Sequence, residues 1–286
     1  MQKITRMYVH WQARIIKLSV SDMFSGDYDF FDYKYNISGY NGQDFGPFPQ
    51  ILYIVLSVVI ISGVLFAYKK SSNDTVKKTL RATGVFLIVF YICKTSWESY
   101  YDITQGGGFN YYLLPLDTCS IVMWASLMAG FCKGRIRDLA ASWMATGCIV
   151  GGVANMLVLS AFKYYPFLSF GAFYSMIWHL LMVFSGLLLI VTDYVEMSYK
   201  TVLKGFLFHL AITLIVIPID YLFDLDFMLY KDLGGIPVFE GVAAYFTNAH
   251  MGWINPILML CLYFVSFYIA FFIPVGIRKL KRRRAE

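Results

Sequence analysis

Cys119, in the stretch Leu114-Pro115-Leu116-Asp117-Thr118-Cys119-Ser120, is a nucleophile two positions from a carboxylate, and both fall within an apolar run. His179 lies a similar distance into another such run. Ionisable and nucleophilic groups are costly in hydrocarbon, so they default to functional candidates. A thiol and an imidazole suit acyl chemistry, in which the thiolate attacks a carbonyl and the base holds its proton. The other polar residues in apolar runs are Lys94, Glu98, Asn155, Asp220 and Asn255, read with Asp117 as candidate substrate-binding groups. His209 reads as a structural histidine near the cytoplasmic end of its run, and His10 and His250 sit in interfacial stretches.

The elements that must position these groups follow from hydropathy. The chain has 286 residues, 58% of them hydrophobic. Seven apolar runs are long enough to cross a hydrocarbon core. They extend over Ile51–Tyr68, Ala82–Tyr101, Tyr112–Cys132, Leu139–Phe162, Phe167–Thr192, Val202–Phe223 and Gly252–Ile277. A soluble domain would use amphipathic helices rather than helices apolar all round. The fold class expected is therefore an all-α polytopic membrane protein of about seven transmembrane helices. Residues 1–49 form an N-terminal segment, 50–277 the membrane domain and 278–286 a basic tail.

Lys and Arg set the orientation, because cytoplasmic loops carry the positive excess. The first loop holds Lys69, Lys70, Lys77, Lys78 and Arg81, the third Lys133, Arg135 and Arg137, and the fifth Lys200 and Lys204. The second loop has no basic residue, and the sixth has only Lys231 among Asp224, Asp226, Asp232 and Glu240. This alternation places the N-terminus outside and the C-terminus in the cytoplasm. In the first segment, Ile4, Met7, Tyr8, Trp11, Ile15 and Leu18 fall at helical spacing between basic residues. That pattern fits a helix lying in the interface plane or one capping the bundle. An external loop follows, and Pro47 and Pro49 delimit the first span.

The net charge of +6 is concentrated against a membrane, notably in Arg278-Lys279-Leu280-Lys281-Arg282-Arg283-Arg284. Attraction to anionic lipid headgroups explains it, with no need for a nucleic acid. No internal repeat, Gly-rich phosphate loop or Cys/His metal spacing is present, so no cofactor or metal is expected. The five cysteines are scattered through apolar segments and imply no disulfide framework.

Helical rise translates position into depth. Cys119 would lie about 10 Å below the outer surface, His179 about 18 Å, Glu98 about 10 Å and Lys94 about 16 Å. Polar groups on five helices thus meet in the outer half, and a shared cavity is the economical account. Lys94 and Glu98, four apart, can equally be a self-neutralising pair. Asp117 and Cys119 would point apart on a regular helix, although Pro115 can distort that end. On spacing alone, a membrane cysteine is more often a packing residue and a lone histidine more often structural.

Leu114 to Ile121 resembles the Pro-Leu-x-x-Cys segment of YwaF-type bacterial integral membrane proteins, relatives of the eukaryotic transmembrane-protein-164 acyltransferases. Further matches follow in order: a His in the fifth run (Phe173 to His179), a Tyr-x-Phe-x-x-x-Phe-Met stretch at Tyr221 to Met228, and Gly252-Trp253-x-x-Pro256. The resemblance extends over most of the chain from about Phe48. It implies a bacterial cell membrane location and, from the family's eukaryotic branch, acyl transfer between phospholipids by a Cys and a His that fall by position on Cys119 and His179. Two departures stand out. Asp117-Thr118 replaces a bulkier or His-containing dipeptide, and Asp226 stands where an amide is usual.

Acyl transfer by Cys119 would pass through a thioester, resolved by a lysophospholipid hydroxyl in a transferase or by water in a hydrolase. An oxyanion stabiliser is also required, with Lys94, Asn255 and Asn155 as candidates. A proton- or ion-coupled transporter, using Lys94, Glu98, Asp117, Asp220 and His179 as a relay, is the alternative, as is a non-catalytic accessory subunit. The topology is directly testable. Cysteines introduced into the first, third and fifth loops should resist impermeant thiol reagents in intact cells, while those in the sixth should react. External labelling of the first loop would reverse the orientation.

Overall fold

The computed structural model describes residues 29–33, 48–104, 110–158, 165, 168–231, 241, 245 and 251–283. The expected interfacial helix over Ile4–Leu18, most of the following loop, His10, His250, Phe162, Phe167, Asp232, Glu240 and residues 284–286 lie outside these. The described residues are helical, without strands. The helices are α1 (Phe48–Tyr68), α2 (Asn73–Thr104), α3 (Ile121–Phe131), α4 (Gly134–Trp143), α5 (Ile149–Val158), α6 (Phe170–Val191), α7 (Tyr199–Phe223) and α8 (Asn255–Arg283). A five-residue π-helical segment, Met144–Cys148, joins α4 to α5.

Five helical stretches are long and apolar enough to cross a membrane: Pro49–Tyr68, Gly134–Leu157, Phe170–Val191, Tyr199–Phe223 and Gly252–Gly276. Large apolar side chains are exposed on them, Phe66 at 82% and Val58 at 59%. That outward-facing apolar surface suits lipid rather than water. The other two expected spans differ from these five. The second lies within α2, whose 32 residues carry Lys94 and Glu98 besides the basic residues of its first turns. The third, expected over Tyr112–Cys132, is not one helix. It consists of a short 3-10 turn, Tyr111–Leu113, a run of turns through Ser120, and the 11-residue α3. Pro115 has no N–H and disfavours a helical conformation at Leu114, and Asp117, Thr118 and Ser120 prefer turns and caps. A helical rise therefore does not give the depth of Cys119.

Local sequence sets several boundaries. Ser169 and Ser198 cap α6 and α7, their hydroxyls accepting from the N–H of Ala172 and Thr201, each at 3.3 Å. Pro49 falls in the first turn of α1, where its missing N–H costs nothing. The chain leaves α7 through Asp224 in a left-handed conformation, φ 55°, with Leu225 N–H returning to the Asp220 carbonyl at 2.9 Å.

The buried π segment is the hub, touching α3, α6, α7 and α8 besides its own flanking helices. Two glycines bring helices against it. A Cβ at Gly186 of α6 would lie 2.6 Å from the Met144 carbonyl oxygen, and one at Gly205 of α7 would lie 2.7 Å from Thr146 Oγ1. Small residues of this kind let backbones approach inside a membrane. Around them, Trp143, Met144, Trp178, Met182 and Phe267 are almost wholly buried.

The polar ends of the bundle are distinct. At one end, Arg81 Nε donates to the Gly130 carbonyl at 2.8 Å, and Asp138 pairs with Arg137 and Lys204. At the other, the Phe31 carbonyl accepts from Trp97 Nε1 and Tyr101, and Phe170 N–H donates to Phe30. Gly186→Ala should destabilise the chain by about 1–3 kcal/mol, because the added Cβ meets the Met144 carbonyl as well as the Ile149 side chain, and the backbone cannot swing aside. Thermal unfolding in detergent measures it, and an unchanged midpoint would mean that α6 and the π segment are not in contact.

Candidate functional site

The unwound stretch from Leu113 to Ser120 is held by side chains from three helices. Tyr91 of α2 donates its hydroxyl to the Leu113 carbonyl at 2.5 Å. Trp178 of α6 donates Nε1–H to the carbonyl of Cys119 at 3.0 Å. Tyr263 of α8 and Thr118 share a hydroxyl–hydroxyl bond of 2.5 Å. Within the stretch, Ser120 N–H turns back to the Asp117 carbonyl at 2.9 Å. Backbone groups freed from a helix must find partners in an apolar interior, and aromatic residues supply them here. Asp117, Thr118 and Cys119 all remain partly accessible.

Around this stretch the expected polar residues separate into two groups. Lys94 and Glu98 form an ion pair of 2.5 Å, both largely buried, and the Tyr165 hydroxyl donates to Glu98. The Lys94 ammonium also lies 5.8 Å from the centre of the Tyr174 ring. Asp117 is close enough to Lys94, Asp220 and Asp226 to feel their charges, and Cys119 feels Asp117 and Lys94. The reading that Asp117 and Cys119 point apart assumed a regular helix, which is absent.

Asp220 and Asn255 shape the turn after α7. Asp220 accepts from Phe227 N–H at 3.1 Å, and Asn255 donates to the Lys231 carbonyl at 2.7 Å. Each is buried and keeps one oxygen without a partner among the described residues. Stacking ties this turn to the unwound stretch, Tyr111 on Phe223 at 5.8 Å and Tyr112 against Phe227 at 5.7 Å. Outside the spans, exposed Asp224 is held below its usual carboxylate value by the hydrogen bond from Lys231. Their pair thus persists above that lowered value and is lost as pH falls through it. Asn155 lies half-buried on α5.

His179 is buried on α6, with Nδ1 2.7 Å from the Ser175 carbonyl. A carbonyl only accepts, so Nδ1 carries the proton and Nε2 presents a lone pair. No hydrogen bond joins His179 to Cys119 among the described residues; the contact to Cys119 comes from the preceding residue, Trp178. His209 differs from the expected satisfied histidine at a helix end. It lies mid-helix and fully buried, with Nε2 3.2 Å from the Tyr230 hydroxyl and Nδ1 without a partner among the described residues. The turn after α7 folds back far enough for Tyr230 to reach it, and Tyr263 packs on its ring at 4.2 Å.

Sequence reading missed Trp178, Tyr174, Tyr91 and Tyr263 as neighbours of Cys119. One of these carried a signal, since Trp178 precedes His179. The tyrosines carried none, being three among twenty-two in the chain.

Trp178→Phe keeps the ring packing and removes the donor to the Cys119 carbonyl, a loss of about 1 kcal/mol. The variant should stay folded while Cys119 alkylates faster than in the unmodified chain and buried Cys148 does not. Unaltered alkylation of Cys119 would mean that Trp178 does not hold it.

Comparison with known proteins bears on the same residues. No curated protein and no solved structure matches the chain significantly. The model of the TMEM164 family matches residues 45–273, which include Cys119, His179 and every helix from α2 to α7. With most of the chain matched and apolar helices that suit a bilayer, this is a membrane protein that belongs to the TMEM164 family.

Proposed function

We propose that the chain transfers acyl groups between membrane phospholipids through a thioester on Cys119, with His179 as base. The observation that carries this reading is the placement of Cys119 on a partly accessible, unwound stretch of an apolar bundle, clamped by the residue next to an imidazole whose Nε2 lone pair is available. The thiol gives its proton to His179 Nε2, directly or through one water, and sulfur attacks the ester carbonyl carbon. The carbonyl π pair moves to oxygen; on collapse the C–O bond to glycerol breaks, and the imidazolium returns the proton to the departing oxygen. A lysophospholipid hydroxyl then gives its proton to the imidazole and attacks the thioester. The C–S bond breaks and the sulfur recovers a proton. Water in place of the acceptor would give hydrolysis.

The rest of the reading follows from the charge pattern. The chain crosses a bacterial cell membrane seven times, the unwound stretch with α3 serving as one crossing and α2 as another. Its N-terminus is outside, and its basic C-terminus lies against anionic headgroups in the cytoplasm. Segregation of Arg81, Arg137 and Lys204 to one end supports this orientation. The Lys94–Glu98 pair argues against a charge relay for transport, since each neutralises the other.

Purified protein incubated with phospholipid should carry an acyl adduct on Cys119 by mass spectrometry, and Cys119→Ser should abolish transfer while the protein stays folded. His179→Ala and the His179→Ala/Cys119→Ser double variant should lose about the same activity, because residues acting as a unit are strongly non-additive. An active Cys119→Ser variant would favour a transporter or an accessory subunit.

A further inference from the structure

We propose that the oxyanion formed at Cys119 is stabilised by side-chain hydroxyls, the Tyr174 hydroxyl from α6 and the spare proton of the Thr118–Tyr263 pair from α8. This rests on the acyl-transfer reading above. It follows from counting which donors near Cys119 are already committed.

The amide after a nucleophile is a common oxyanion donor, but Ser120 N–H is bound to the Asp117 carbonyl at 2.9 Å. Trp178 Nε1–H is spent on the Cys119 carbonyl, and the Tyr91 hydroxyl on Leu113. Lys94 is paired with Glu98 at 2.5 Å. Asn255 directs its amide to Lys231 in the turn after α7. The Lys94 ammonium and the Asn255 amide keep further N–H protons, but Glu98 neutralises the first and the second is anchored in the turn after α7, so neither is assigned the role; Asn155, the third sequence candidate, lies on α5 with its own interaction.

The Ser120 hydroxyl and the Cys119 amide are directed at the Cys119 sulfur itself, which leaves two donor sources. Tyr174 precedes Trp178 by one helical turn, their rings 5.2 Å apart, so it lies on the face of α6 that meets Cys119. Its hydroxyl is in electrostatic reach of the Cys119 sulfur and has no hydrogen-bond partner among the described residues. The second source is the Thr118–Tyr263 pair. Two hydroxyls carry two protons, and their mutual bond uses one, so the other can point at a developing negative charge. Tyr263 is itself fixed by the His209 ring at 4.2 Å. His209 and its partner Tyr230 are positioning residues in this arrangement.

In the acylation step the sulfur–carbon bond forms as the carbonyl π pair becomes an oxyanion, and the hydroxyls donate hydrogen bonds to it without transferring their protons. Donors poised for charge that develops only in the transition state act on the chemical step.

The full-length protein in lipid vesicles gives two rates at the same sulfur: acylation by phospholipid and alkylation by iodoacetamide. Alkylation is a displacement at a saturated carbon and forms no oxyanion. Tyr174→Phe should slow acylation about 10²–10³-fold, the usual effect of removing one such donor, with alkylation unchanged. Thr118→Val and Tyr263→Phe should each be mild, because the surviving hydroxyl is released from its partner and remains a donor. The Thr118→Val/Tyr263→Phe double variant should be slow in acylation alone. Acylation undiminished in Tyr174→Phe would overturn the proposal, as would equal losses in both rates, which would mark the hydroxyls as structural. Absence of any acyl adduct on the unmodified chain would remove the acyl-transfer reading itself, and this assignment with it.

Discussion

An unwound backbone inside an apolar bundle must have its carbonyls and amides met by something other than water, and this constraint organises the site. The stretch from Leu113 to Ser120 cannot close a regular helix around Pro115. Two of its carbonyls are met by Tyr91 of α2 and Trp178 of α6, and the Thr118 hydroxyl is met by Tyr263 of α8. Three helices that are distant in sequence therefore converge on eight residues of chain, with Cys119 near the end of them. The same unwinding leaves Asp117, Thr118 and Cys119 partly accessible, where a continuous helix would have turned them to different faces.

Convergence of that kind needs helices that do not shift. Gly186 and Gly205 press α6 and α7 onto the Met144–Cys148 segment at distances that leave no room for a side chain. Dispersion across such contacts is the main attraction available between helices in lipid, where apolar burial is no driving force. The π segment widens the helix at this point and brings α8 against it as well, which fixes the helix carrying Tyr263. Packing at the hub thus positions hydroxyls elsewhere in the bundle.

Charge in the interior is handled locally. Lys94 and Glu98 neutralise each other one turn apart, with Tyr165 completing the carboxylate. Asp220 and Asn255 are committed to the turn after α7. Apart from Asp117 and the paired Lys94, whose charges reach it, Cys119 is surrounded mostly by hydroxyl and indole, groups that donate hydrogen bonds while remaining uncharged. Such a setting is compatible with the proposed acyl transfer, in which negative charge appears transiently and then disappears.

The sequence by itself determined the helical class, five of the membrane-length helices and the Lys94–Glu98 pair, because hydropathy over about twenty residues and an i,i+4 spacing are local properties. The motif around Cys119 also identified the family. Tertiary structure decided the rest. The run at Tyr112–Cys132 is apolar on average, so hydropathy reads it as one helix despite Pro115, Asp117, Thr118 and Ser120; only the partners supplied by other helices make its unwound half tolerable. Asp220 and Asn255 are candidate site residues by sequence as polar groups in apolar runs, and that they also anchor a turn depends on Phe227 and Lys231 folding back onto them. Tyr174 and Tyr263 carry no local mark at all. Their relation to Cys119 exists only once α6 and α8 are packed, since a hydrogen-bond donor is defined by where its partner lies and not by its own position in the chain.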